Sequence, residues 1–262
     1  MNVLDFGARK REGKPLTLTT CYDFWSARIL DSSDIDALLV GDSLAMVMHG
    51  HESTVTATTE LMALHTRAVA RGAPSKFLIT DMAFPSFRRG ISEAMASVDV
   101  LMKAGTNAVK VEGIRGHEDV VEHIVGSGIP VMGHVGLTPQ SVHALGGFKV
   151  QGTTEEAAEQ LVDDAKRLEQ AGCFAIVLEC IPAGVASRIT AKLGVPTIGI
   201  GAGRGVDGQV LVLHDLTGLQ RDVSPRFVRR FADGYAMISS AVSAFQAEVE
   251  AGTFPADEET YG

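Results

Sequence analysis

The sequence predicts an α/β chain closed into a single (β/α)8 barrel domain over residues 1–262, with a C-terminal helical segment. Three observations carry that expectation. Short apolar runs rich in β-branched residues recur along the chain, and amphipathic stretches of helical period fill the intervals. Glycines at 72, 105, 128, 172 and 194 sit where each helix must close before the next run. The length, 262 residues, is close to the ~250 that one such barrel uses.

The first run is LTLTT (16–20), followed by ALLVGD (37–42) and a helix over 57–71. FLITDM (77–82) leads to a helix over 91–104, then AVKVEG (108–113) and PVMGHV (130–135). A helix over 154–171 opens with Thr153 and Glu156 at capping-box spacing and stops at Gly172. FAIVLE (174–179), a helix over 182–193 and PTIGIG (196–201) follow. The runs are apolar almost throughout, as strands buried on both faces of a parallel sheet must be. An open doubly wound sheet shares this pattern, and the barrel is preferred to it. The eighth run, GQVLVLHD (208–215), is separated from the seventh only by 202–207, whereas a parallel crossover usually takes a dozen residues or more. Either it belongs to the crossover or it closes the barrel irregularly. Residues 224–250 read as a C-terminal helix or helix pair.

Composition narrows the function. Hydrophobic residues at 45% and charged residues at 21% describe an ordinary globular protein. Asp and Glu number 32 against 23 Lys and Arg, a formal charge of −9, so neither nucleic acid nor an anionic membrane is the expected partner. Cys21, Cys173 and Cys180 form no CxxC pair and are expected to be free thiols. With no apolar leader in MNVLDFGARKREGKP and no apolar run near ~18 residues, the expected location is cytoplasmic.

Polar residues gather where the runs end: Asp42 and Ser43, Asp81, Lys110 and Glu112, His134, and Glu179. In a parallel barrel those ends share one mouth, where barrel enzymes place their chemistry. One strand-end carboxylate is commonly a helix cap. Four carboxylates, a Lys and a His on five successive strands point to an enzyme. Such crowding of like charge is relieved by a divalent cation or by protonation of one acid. Oxygen donors without a Cys or paired-His motif favour Mg²⁺, with Asp42 and Asp81 as ligands and Glu112 next, directly or through water. Lys110 and Glu112 flank Val111, so both face the barrel interior, where Lys110 can hold a substrate anion or form an ion pair with Glu112 or Asp81. His49, His51 and Glu52 form HGHE, which lacks the second His of H-E-x-x-H and reads as a solvated loop. GRGVDG (203–208) has the dinucleotide glycine spacing but precedes an apolar run rather than a helix. It reads as a place for close backbone approach or a tight turn. Cys180 reads as inert packing.

At these same residues the chain resembles the ketopantoate hydroxymethyltransferase family. The resemblance rests on LTTCYDFWSA (18–27), LLVGDSLAMVMHG (38–50), TRAVARGA (66–73), VKVEG (109–113) and GIPVMGHVGLTPQSVHALGGFKVQG (128–152). FAIVLECIP (174–182), PTIGIGAG (196–203), DGQVLVLHDLTG (207–218) and AEVEAGTFP (247–255) extend it over nearly the whole chain. It implies a TIM-type barrel of the phosphoenolpyruvate/2-oxo acid-binding type, with Mg²⁺ on Asp42, Asp81 and Glu112. Asp42, Ser43, Asp81 and Lys110 would hold the 2-oxo acid, and Glu179 would accept a proton; His134, from its strand-end position, is the candidate accessory. The implied reaction carries a one-carbon unit from 5,10-methylenetetrahydrofolate to 3-methyl-2-oxobutanoate, giving 2-dehydropantoate for pantothenate synthesis. A homo-oligomer, a decamer in bacterial members, is also implied. Two loops depart from the family pattern, GHESTVTAT (50–58) for one nearer GYDSTLPVT and AFPSF (83–87) for one nearer PFGSY. Two other readings compete: a Mg²⁺-dependent C–C lyase or phosphonomutase acting on a 2-oxo acid, and a catalytically silent scaffold.

Overall fold

The computed structural model describes residues 1–221 and 225–261, in two compact units, Met1–Val212 and Leu213–Gly262. In the first unit eight parallel strands close into a barrel in chain order. They are β1 (Leu16–Thr20), β2 (Ala37–Val40), β3 (Phe77–Asp81), β4 (Ala108–Lys110), β5 (Val131–Gly136), β6 (Ala175–Glu179), β7 (Thr197–Ile200) and β8 (Gly208–Leu211). The helices of this unit are α1 (Val3–Arg11), α2 (Phe24–Asp31), α3 (Leu44–Val47), α4 (Thr59–Gly72), α5 (Ile91–Lys103), α6 (Glu118–Gly126), α7 (Val142–Leu145), α8 (Glu155–Gln170) and α9 (Ala183–Lys192).

Strand parity sorts the side chains into two cores. Leu18, Leu39, Ile79, Met132, Val177 and Ile198 point inward and form one buried cluster. Their neighbours Leu38, Leu78, Val109, Ile176 and Leu178 point outward and pack with Val69, Leu101, Ile124, Leu168 and Ile189 of the helices. Both strand faces are therefore dry, which is why the runs are apolar without alternation. Phe6 of α1 joins the inner cluster, its ring 5.4 Å from Phe77 and 5.1 Å from Phe174, and floors the barrel at the start of the strands. Polar groups are thus left to the opposite end.

The eighth strand corrects one expectation. β8 pairs with β1 from Leu16↔Gly208 to Thr19↔Leu211 and with β7 at Ile198↔Gly208, so GQVL closes the barrel regularly. No helix lies in the 201–207 connection. Strands this short, four residues or ~13 Å, leave a return path that extended chain can cover. That chain lies flush on α9. A Cβ on Gly203 would lie 2.6 Å from the Ala183 Cβ, and one on Gly205 would lie 2.0 Å from Ser187 Oγ. The glycine spacing of GRGVDG therefore serves a helix-free crossover. Asp207 then pins it, accepting from Thr197 N–H at 2.8 Å and pairing with Lys10 of α1 at 2.9 Å.

The capping of α8 also differs. Thr154, not Thr153, is the N-cap, its hydroxyl accepting from Ala157 N–H at 3.2 Å. That shift places both Glu155 and Glu156 in the first turn, where the helix dipole favours negative charge.

The second unit holds α10 (Leu213–Leu216) and α11 (Gly234–Ala251). Residue 224 of the expected 224–250 segment lies outside the described residues, and the remainder contains one long helix rather than a pair. Asp233 caps α11 through Ala236 N–H at 3.0 Å and pairs with Arg221, whose guanidinium also lies 4.3 Å from the centre of the Tyr235 ring. Among the described residues no helix is long and apolar enough to cross a membrane.

Candidate active site

Sheet register builds the site. Asp81 closes β3 directly opposite Lys110, which closes β4, and their side chains form an ion pair at 2.9 Å. The ladder continues past Lys110, because Val111 N–H donates to Met132 O and Gly113 N–H to His134 O. Glu112 therefore keeps inward parity although it follows β4. Glu112 Oε1 lies 3.7 Å from Lys110 Nζ and 3.5 Å from His134 Nδ1. On the other side of the imidazole, His134 Nε2 lies 3.3 Å from Glu179 Oε2. Asp42, Asp81, Lys110, Glu112 and His134 are buried. Glu179 keeps 17% of its side chain exposed because it ends β6 at the rim.

Asp42 is tied to Asp81 through its own peptide, whose N–H donates to Asp81 Oδ2 at 3.0 Å. Gly41 makes room for this approach, since a Cβ there would lie 2.9 Å from Ser43 Oγ and 3.6 Å from Asp81 Oδ2. Ser43 Oγ in turn shares a hydrogen bond of 2.7 Å with the Tyr22 hydroxyl. Two residues that carried no expected role thus enter the site: Tyr22 and Gln140. The Gln140 amide donates to Asp42 Oδ2 and to Met82 O, and its peptide N–H donates to Glu112 Oε2, each at 2.9 Å. Both lie in strings that the family resemblance singled out, and neither follows from strand parity, because both stand on loops.

The charges are out of balance. Burial drives the Asp42 carboxyl well above its usual range, and repulsion from Glu112 and Asp81 adds to this. Burial also raises Asp81, with Lys110 opposing it. Glu112 goes the other way: burial pushes it up, but His134, Lys110 and the Gln140 N–H outweigh burial. Burial opposes the charge on Lys110, yet Asp81, Glu112 and Asp42 hold it above its ordinary value. For His134, burial and Lys110 disfavour the cation, but the adjacent Glu112 and Glu179 carboxylates raise it to about 9. Lys110 Nζ also lies 3.3 Å from His134 Nδ1, with the carboxylates of Asp81 and Glu112 around the pair.

Among the described residues no three His, Cys, Asp or Glu side chains converge as a preformed metal cage. Glu112 accounts for this, since one oxygen faces Lys110 and His134 and the other accepts from Gln140. Asp42 and Asp81 fit a divalent cation better. Asp81 Oδ1, although 2.9 Å from Lys110 Nζ, is buried without a properly directed hydrogen bond, and burial with the neighbouring carboxylates disfavours a charge on Asp42 that a bound cation would offset.

Elsewhere, His49, His51 and Glu52 are exposed, and His49 Nε2 lies 2.9 Å from His65 Nε2. All three cysteines are free, and burial with the nearby Glu179 charge pushes the Cys180 thiol up to about 12, far from a thiolate at neutral pH. The two variant loops, with residues of α4 and α5, line a cavity of about 450 Å³ between Val55–Glu60 and Ala83–Ser86.

Comparison with known proteins bears on the fold and the family. Solved structures show the same fold at low identity. A phosphonopyruvate hydrolase complexed with oxalate and Mg²⁺ aligns over 100% of this chain and 92% of its own, with TM-score 0.65 and 13% identity. A 2,3-dimethylmalate lyase of the PEP mutase/isocitrate lyase superfamily aligns over 99% and 91%, with TM-score 0.59 and 16% identity. These show the barrel fold and carry no activity to it. Sequence relatives are far nearer. The 3-methyl-2-oxobutanoate hydroxymethyltransferase of Coxiella burnetii (strain Dugway 5J108-111) is 50% identical over 97% of this chain and 96% of its own length. That of Bdellovibrio bacteriovorus is 50% identical over 99% and 98%, and that of Francisella tularensis subsp. novicida 48% over 99% and 98%. The profile of the family described as ketopantoate hydroxymethyltransferase matches residues 1–257, and the chain belongs to that family of pantothenate-synthesising transferases.

Proposed function

We propose that the chain transfers the one-carbon unit of 5,10-methylenetetrahydrofolate to C3 of 3-methyl-2-oxobutanoate with Glu179 as the base, giving 2-dehydropantoate and, with water, tetrahydrofolate. The supporting observation is the buried, charge-crowded set Asp42, Asp81, Glu112, Lys110 and His134, with Glu179 at its rim. Asp42 and Asp81 would hold Mg²⁺, with Glu112 next, directly or through water. When bound, Mg²⁺ supplies Lewis-acid stabilisation of the charge that develops on the 2-oxo oxygen as the C3 proton leaves. Lys110, anchored by Asp81, presents its ammonium to the anionic substrate, and Ser43 donates to it from its position against Tyr22. Glu179 removes the C3 proton, and His134, 3.3 Å away, steadies its carboxylate. Burial of the set keeps water from quenching the carbanion before the C–C bond forms.

Deuterium exchange at C3, followed without folate, isolates the first step. Exchange should run with Mg²⁺ and fall to background after exhaustive chelation. Exchange that persists at full rate in chelator would remove the metal from the mechanism.

We further infer a cytoplasmic homo-oligomer. Tyr235, Met237, Ile238, Val242, Phe245 and Val249 stand exposed on α11, more apolar surface than one surface helix ordinarily leaves to water. Light scattering should give a mass that is a multiple of 27.7 kDa, whereas a single 27.7 kDa species at micromolar concentration would refute assembly.

A further inference from the structure

Gln140 reaches three parts of the site at once. It is buried, and it belongs to the loop after β5, where Pro139–Ser141 form one turn of 3-10 helix. The first N–H groups of a helical turn have no partner within it, so the Gln140 peptide is free to donate to Glu112 Oε2 at 2.9 Å. Its side-chain amide meanwhile donates to Asp42 Oδ2, at the end of β2, and to Met82 O, just past β3. The Met82 carbonyl can only accept, which assigns Nε2 to that side and leaves Oε1 buried with no partner. Among the described residues, the hydrogen bond to the Asp42 carboxylate comes from Gln140. Every other charge facing Asp42, except Lys110, repels it.

We propose that Gln140 is a positioning residue: it holds the Asp42 carboxylate against Glu112 and Asp81, and fixes Glu112 through its peptide, in the geometry that accepts the divalent cation. The inference rests on the assignment of Asp42 and Asp81 as cation ligands. Without the amide, the Asp42 carboxylate lowers its energy by turning away from its neighbours. With it, the repulsive arrangement persists in the free protein and is relieved when the cation binds. The unpartnered Oε1 is an acceptor left over for a donor that arrives with the bound species.

Gln140→Met keeps the side-chain volume and the peptide N–H but removes the amide donor, and Gln140→Ala does the same with less packing. Mn²⁺ serves as the probe, titrated by electron paramagnetic resonance into the free protein without substrate, alongside thermal melting and the Mg²⁺ dependence of C3 exchange. Both variants should bind Mn²⁺ about 10–100-fold more weakly, the usual cost of losing a partner behind a ligand. The Mg²⁺ concentration for half-maximal exchange should rise by a similar factor, and saturating Mg²⁺ should restore most of the rate. A role in packing alone would lower the melting temperature of the Ala variant more than that of the Met variant and leave Mn²⁺ affinity unchanged in both. That outcome overturns the inference. Failure of the unsubstituted protein to bind Mn²⁺ would instead overturn the cation site itself, so the two failures are distinguishable.

Discussion

Asp42→Asn should abolish cation-dependent substrate binding and at the same time make the free protein more stable. The two effects have one origin. Asp42 is buried and faces Glu112 and Asp81, which raises its carboxyl well above the ordinary range. A carboxyl whose folded pKa lies above its unfolded value destabilises the fold at neutral pH, and the penalty is lifted as pH falls through the folded value. Asn removes the charge, keeps an acceptor for the Gln140 amide, and relieves the repulsion. Stabilising changes of this kind commonly contribute ~1 kcal/mol, or ~3 °C in a chain of this size. Function moves the other way. Loss of a charged ligand removes several kcal/mol of Lewis-acid stabilisation, and ~4 kcal/mol corresponds to about 10³-fold in rate. Calorimetry, Mn²⁺ titration and C3 exchange read the three consequences separately. If Asp42→Asn melts lower than the parent while binding Mn²⁺ as well, Asp42 is a structural acceptor and the cation site lies elsewhere.

That opposition shows why the site was more legible in the sequence than its geometry. Strand ends placed Asp81, Lys110, Glu112, His134 and Glu179 at one mouth, and parity turned Lys110 and Glu112 inward, because side chains alternate along a strand. Parity held even at Glu112, beyond the strand proper, because the ladder continues through Val111 and Gly113. Parity says nothing about Gln140 or Tyr22. The first acts partly through a peptide N–H that any residue but proline possesses, and the second through a hydroxyl against Ser43. It is equally silent about how Glu112 spends its oxygens, and those contacts separate it from Asp42 and Asp81. The closing strand was obscured for another reason. A rule about crossover length assumes a helix in the crossover, and Gly203 and Gly205 let the chain return along α9 without one. The missed feature was steric room, which a glycine pattern records without saying what fills it.

Glu179→Gln should slow deuterium exchange at C3 by roughly 10²–10⁴-fold, the usual worth of a positioned base, while Mn²⁺ and substrate still bind. Three features favour Glu179 as the base. Glu179 ends β6 at the rim with 17% of its side chain exposed, so a substrate carbon can reach it. Its carboxylate faces His134 rather than Asp42 or Asp81 in the contacts the structure shows. His134 is held cationic between Glu112 and Glu179, so the imidazole has no free lone pair with which to take the proton itself. Gln keeps the shape and an oxygen that can accept from His134 Nε2, so the fold and the imidazole should persist, and melting should change little. Were Glu179 a cation ligand, Gln would first weaken Mn²⁺ binding, and excess Mg²⁺ would recover much of the rate. Were it only a support for His134, exchange would stay near the parent rate and His134→Asn would be the slower variant. The proton would then pass to His134, and the rise of its pKa to about 9 would have to reverse once the cation is bound.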